Sequence, residues 1–145
     1  MITLGEWAAD LRYAAGSCRV MIEITLKAEM HRLGEIAAGY PGHERAEWPP
    51  LAQSTIDDKI SGGYPVPSPL LRTGAMQSTI RGEADGFVGI VGSTDPKAVY
   101  HEFGTSKMPP RPIYAHVMMT HLPELEAAFS GLAARLLTPL ASYRP

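Results

Sequence analysis

The chain has 145 residues, enough for one domain that buries well over half of the surface its unfolded form would expose. Apolar residues make up 45% and charged residues 19%, a globular balance that excludes a disordered chain. The formal net charge of -2 argues against a dedicated nucleic-acid binder, the lone Cys18 excludes an internal disulfide, and no apolar run approaches the roughly 20 residues of a membrane span.

The opening stretch MITLGEWAADLRY lacks the basic-then-apolar layout of a signal peptide, so the chain is expected in the cytoplasm or in something assembled there. Thr3 and Glu6 make a capping box for a first helix. Its apolar stripe runs through Leu4, Ala8, Leu11, Ala15, Cys18, Ile22, Leu26, Met30, Leu33 and Ala37 at steps of three or four. Gly39 is expected to close it in a left-handed cap, and Pro41 forbids its return. Such a helix is about 50 Å long, more than a domain of this size is wide. It must bend at Gly16-Ser17, or project and pack on another subunit.

Prolines and glycines crowd the next stretch, and residues 40–68 are expected to form an extended arm that reaches for a partner. Pro50 can start a short helix inside it, ending at Gly62-Gly63. Ser68 and Pro69 predict another short helix over LLRTGAMQST, with Gly74 admitting a neighbouring backbone. IRGEADGFVGIVG reads as a β-hairpin turning at Asp85-Gly86, which pairs Ile80 with Val91, Arg81 with Ile90 and Ala84 with Phe87. Its second strand is apolar on both faces and is expected inside a sheet. Asp95 and Pro96 open a short helix that Gly104 ends, with Val99 and Phe103 on its inner face. A last helix follows from about Pro112, its stripe carrying Val117, His121, Leu125, Phe129, Leu132 and Leu136 and its course kinked or split by Pro123. Helices and antiparallel strands in separate runs predict an α+β fold: a long N-terminal helix, a small antiparallel sheet, and a C-terminal helix packed on that sheet.

The stretch YHEFGTSKMPPRP, residues 100–112, carries the densest chemistry. No two of His31, His43, His101, His116 and His121 stand at the helical spacing of zinc motifs, so no metal or other cofactor is expected. GTSK lacks the first glycine of a phosphate loop and is followed by proline. His101 and Glu102 are adjacent, and adjacent helical residues point about 100° apart, which weakens a base–acid pairing for a small hydrolase. A structural reading uses more of the residues. Gly104 permits a sharp exit from the helix, and Arg111, held between Pro110 and Pro112, is expected to clamp Glu102.

Four stretches together resemble a known family: WPPLAQSTIDDK (48–59), PLLRTGAMQSTI (69–80), VYHEFGT (99–105) and MPPRPIY (108–114). They are similar to the head–tail joining or tail-completion proteins of long-tailed bacteriophages, also described as minor tail or virion morphogenesis proteins. The motif positions are Trp48, Leu71, Thr73, Gly74, Tyr100, Glu102, Phe103, Gly104, Thr105, Arg111 and Pro112. The resemblance implies a structural virion protein with no catalytic residues. It implies a subunit of a hexameric ring in the neck, meeting the tail terminator or tail tube on one side and the head connector on the other. DNA would pass through without sequence-specific contact. The competing reading is a protein-interaction module unrelated to phages that uses the proline-rich arm.

Overall fold

The computed structural model describes residues 3–141. The order is α1 (Leu4–Ala38), α2 (Gln53–Ser61), a 3-10 turn (Gln77–Thr79), β1 (Ile80–Asp85), β2 (Val88–Ser93), α3 (Lys97–Phe103) and α4 (Tyr114–Ala141). The fold is α+β, with α1 at its centre. The hairpin of β1 and β2 packs on one side of α1 and α4 packs along it, the first turn of α4 also joining the core beneath the sheet.

Helix α1 starts where the capping box places it. The Glu6 N–H donates to Thr3 Oγ1 at 3.2 Å, and the Thr3 N–H donates to Glu6 Oε2 at 2.8 Å. It runs unbroken through Gly16 for 35 residues. Gly39 ends it with φ -77°, an ordinary right-handed conformation rather than the left-handed cap the sequence suggested. Pro41, deeply buried, is what stops the helix. The core gathers Met30, Leu33 and Ala37 from the second half of α1 with Ile80, Ile113 and Val117. Leu4 and Leu11, on the same stripe, are exposed. The stripe is continuous, but the monomer fully buries only its end and half-buries Cys18, Ile22 and Leu26.

Two glycines set the depth of the sheet on the helix. A Cβ on Gly34 would overlap the Gly82 backbone, and one on Gly82 would overlap the Met30 carbonyl. Only glycine allows the two backbones this approach. The register pairs Ile80 with Ser93 and Asp85 with Val88, so the turn residues are Gly86 and Phe87 rather than Asp85 and Gly86. Gly86 alone takes a positive φ, 55°. A turn centred on Asp85-Gly86 would require positive φ at aspartate as well. The slip is two residues, so each strand side chain keeps its expected face.

Other expectations change more. The sheet has two strands, and β2 is an edge with Val88 and Ile90 exposed, not an interior strand. Residues 69–76 form turns instead of a helix, because Leu70 and Gly74 hold φ of 62° and 80°. Gly74 serves that backbone angle, since no other backbone approaches it. On α3, Val99 and Phe103 face outward, and Ala98 is the buried residue. Helix α4 continues through Pro123 without splitting, held to α1 by an Arg32–Glu124 ion pair at 2.9 Å.

Gly34→Ala and Gly82→Ala are each expected to lower stability by about 3 kcal/mol or more, because backbone, not a flexible side chain, must give way. Gly16→Ala, with open space around it, is expected to raise stability by about 0.5–1 kcal/mol. Urea unfolding of the three variants checks the pattern.

Candidate functional site

The unusual stretch between Tyr100 and Pro112 is a knot of backbone bonds. Glu102 leaves α3 and places its carboxylate on the start of α4. Oε2 accepts from the Ile113 N–H at 2.7 Å and the Tyr114 N–H at 3.1 Å, and Oε1 accepts from the Ala115 N–H at 2.8 Å. These are three of the four donors a helix start leaves without intrahelical partners. The negative charge also meets the positive end of the helix dipole.

Arg111 is therefore not the partner of Glu102, as the sequence had suggested. The α4 amides outcompete it for the carboxylate. Arg111 is 6% exposed, and its Nη2 donates to the Pro49 and Pro50 carbonyls at 3.0 and 3.1 Å. Those carbonyls lie in a proline run and have no helix or sheet to bond with. The Arg111 N–H donates to the His101 carbonyl at 2.7 Å, closing the loop on α3. Burial lowers the guanidinium's pKa. His101 lies beside it with a buried Nδ1 that has no hydrogen-bond partner among the described residues. Burial, and then the Arg111 charge, holds the imidazole below its ordinary 6.5.

The proline-rich segment does not project as a free arm. Trp48 is buried against Tyr40 and donates its Nε1–H to the Pro112 carbonyl at 3.3 Å. The Arg45 guanidinium also lies over the Tyr40 ring, 3.3 Å from its centre. Lys59, 5% exposed, gives all three ammonium protons to backbone carbonyls, those of Pro65 at 2.9 Å, Ser68 at 2.6 Å and Leu71 at 2.7 Å. Burial, and then Arg72, lowers its pKa. Sequence reasoning gave Lys59 no role. The signal was available: residues 64–71 contain three prolines and must find donors elsewhere for their carbonyls.

The motif residues thus come together in two ways. Trp48, Glu102, Arg111 and Pro112 meet in the knot. Leu71 and Gly74, with Arg111, line a cleft of about 680 Å³ between the proline-rich segment and the base of α3. Thr73 also borders it, its Oγ1 accepting from the Ala75 N–H at 3.4 Å. Gly104, at φ 74°, turns the chain so that Thr105 and Met108 bond to each other. Tyr100 and Phe103 belong to neither group. They stand on the open face of α3 with Val99, and Phe103 is 78% exposed.

Besides Met119 and Leu122 on α4, three apolar surfaces lie uncovered on the described residues. One is this face of α3. Another is the outer face of the hairpin, where Val88 and Ile90 sit beside Glu83 and Asp85. The third is the first half of α1, where Leu4 is 85% exposed and Trp7 and Tyr13 are also exposed. Contiguous exposed apolar patches are a common feature of interaction surfaces.

Glu102→Ala is expected to cost about 1–2 kcal/mol by leaving α4 uncapped, measured by thermal or urea unfolding. The His101 shift sets a pH dependence. Where the folded imidazole is neutral and the unfolded one is charged, the unfolded chain binds more protons, so stability falls as pH drops through about 6.5. His101→Gln is expected to lose less stability than wild type between about pH 7.5 and about pH 5. Equal losses would show that His101 is not held neutral.

Comparison with family models, with curated proteins and with solved structures finds no match for this chain.

Proposed function

We propose that this chain is a structural subunit of the neck of a long-tailed phage, where it completes the tail and joins it to the head connector as part of a ring around the DNA channel. One observation carries the reading. The chain exposes 9754 Å², against about 7,300 Å² for a compact monomer of its mass. The excess of about 2,500 Å² is the size of surface that permanent assemblies bury. The exposed apolar side chains lie on separate faces, as a ring subunit with lateral and axial neighbours requires.

The shared motifs support the same reading. Glu102, Gly104, Arg111 and Pro112 among them build the knot, and the knot presents Tyr100 and Phe103 outward on a fixed support. The contact surfaces are then the free end of α1, the α3 face and the hairpin. The proline-rich segment is fastened to the body and serves as its brace. A hydrolase built on His101 and Glu102 finds little support, because both Glu102 oxygens are engaged by α4 amides. Among the described residues no helix is long and apolar enough to cross a membrane.

Electron microscopy of particles from cells lacking this gene tests the proposal. Separate DNA-filled heads and finished tails are the expected result. Normal, infectious particles would overturn it.

A further inference from the structure

We propose that the cleft beside α3 receives the hairpin tip of a second copy of this chain, in a head-to-tail contact that rests on the ring reading above. The cleft is strongly cationic in a chain of net charge -2. Lys59, Arg72, Lys97, Lys107 and Arg111 line it, with Asp58 as the one carboxylate among the lining residues. Three of these cations are already engaged. Lys59 and Arg111 hold backbone carbonyls, and Arg72 pairs with Asp58 at 3.3 Å. Lys97 and Lys107 are exposed and have no ion-pair partner among the described residues. Leu51, Leu71 and Met108 add apolar side chains to the same lining. The cleft therefore suits a carboxylate-bearing segment that is also apolar.

The hairpin tip has that composition. On its outer face Glu83 stands opposite Ile90 and Asp85 opposite Val88. All four are exposed, and neither carboxylate has an ion-pair partner among the described residues. The one cation on this face, Arg81, lies nearer the root, opposite Gly92.

The contact has to be between copies. The cleft borders the root of the hairpin, through Met76 and Lys97. Asp85 lies five strand steps beyond Ile80, about 17 Å away, so the tip points away from its own cleft. A tip-to-cleft contact joins unlike surfaces, and such contacts close into rings when the rotation permits. Two patches of about 800 Å² per subunit, one for each neighbour, fit within the excess exposed surface.

Zero-length carbodiimide coupling, which joins a carboxylate to an amine in direct contact, tests the contact. Equal amounts of isotope-labelled and unlabelled full-length chain are mixed and coupled. Mass spectrometry is expected to find mixed-label links from Glu83 or Asp85 to Lys97 or Lys107. Lys97→Glu with Lys107→Glu, and separately Glu83→Lys with Asp85→Lys, should each lower coupling between these segments about tenfold or more. Mixing the two variants should restore it through links from Glu83 or Asp85 of the first to Lys97 or Lys107 of the second, because each supplies the charge the other now lacks. Links confined to one label, mixed-label links that join the hairpin to other lysines instead, or no restoration in the mixture would overturn the proposal. Circular dichroism and unfolding of both variants, expected to match wild type, separate loss of contact from loss of fold. This experiment requires no phage particle. Its failure leaves the neck reading to be judged by the microscopy, and normal particles in that microscopy leave this contact to be judged by the coupling.

Discussion

The carboxylate of Glu102 is the point on which the rest of the structure turns. Three amide protons at the start of α4 share its two oxygens, and this fixes the end of α3 against the longest helix after α1. The loop between them is thereby closed, and its prolines leave it few other paths. Arg111 is held inside that loop, and its guanidinium reaches across to the Pro49 and Pro50 carbonyls. Trp48, just before them, returns a hydrogen bond to Pro112. A helix cap, an ordinary local interaction, thus anchors a segment more than 50 residues earlier in the chain.

The same economy leaves much of the molecule without cover. The core is gathered at one end, around Met30, Leu33 and Ala37 of α1. Two strands can cover one side of a helix but cannot cover each other, so the outer face of the hairpin and both its edges stay open. The fold is stabilised by close backbone approach at Gly34 and Gly82, by α4 on α1, and by the braced proline segment. None of these covers Leu4, Trp7 or Tyr13 of α1 or the outer face of α3. Large apolar side chains in those places cost solubility, and a subunit that functions inside an assembly is the setting in which they become useful.

The sequence was most informative where local chemistry decides the outcome. The Thr3–Glu6 capping box, the α1 stripe, the helix after Pro96 and the existence of the hairpin all follow from patterns a few residues long, and the structure contains them. It was least informative where two distant groups compete for one partner. Glu102 and Arg111 look complementary in sequence, yet an uncapped helix offers the carboxylate three donors in fixed geometry, and orphaned proline-segment carbonyls take the arginine. The role of Lys59 is illegible in the sequence for the same reason, since its three acceptors become neighbours only when the loop has folded. Val99 and Phe103 share an apolar face of α3, a pattern that suggests burial, yet that face points outward. An amphipathic pattern shows that a face will be covered; it does not say whether the cover belongs to the same chain.

The central claim is that the uncovered apolar faces are contact surfaces in an assembled particle. Hydroxyl-radical footprinting of the aromatic residues, compared between the isolated chain and purified particles, tests it most directly. Trp7, Phe87, Tyr100 and Phe103 are all exposed in the single chain, so each should label readily there. In the particle all four are expected to be protected. Equal labelling of these residues in both states would contradict the account.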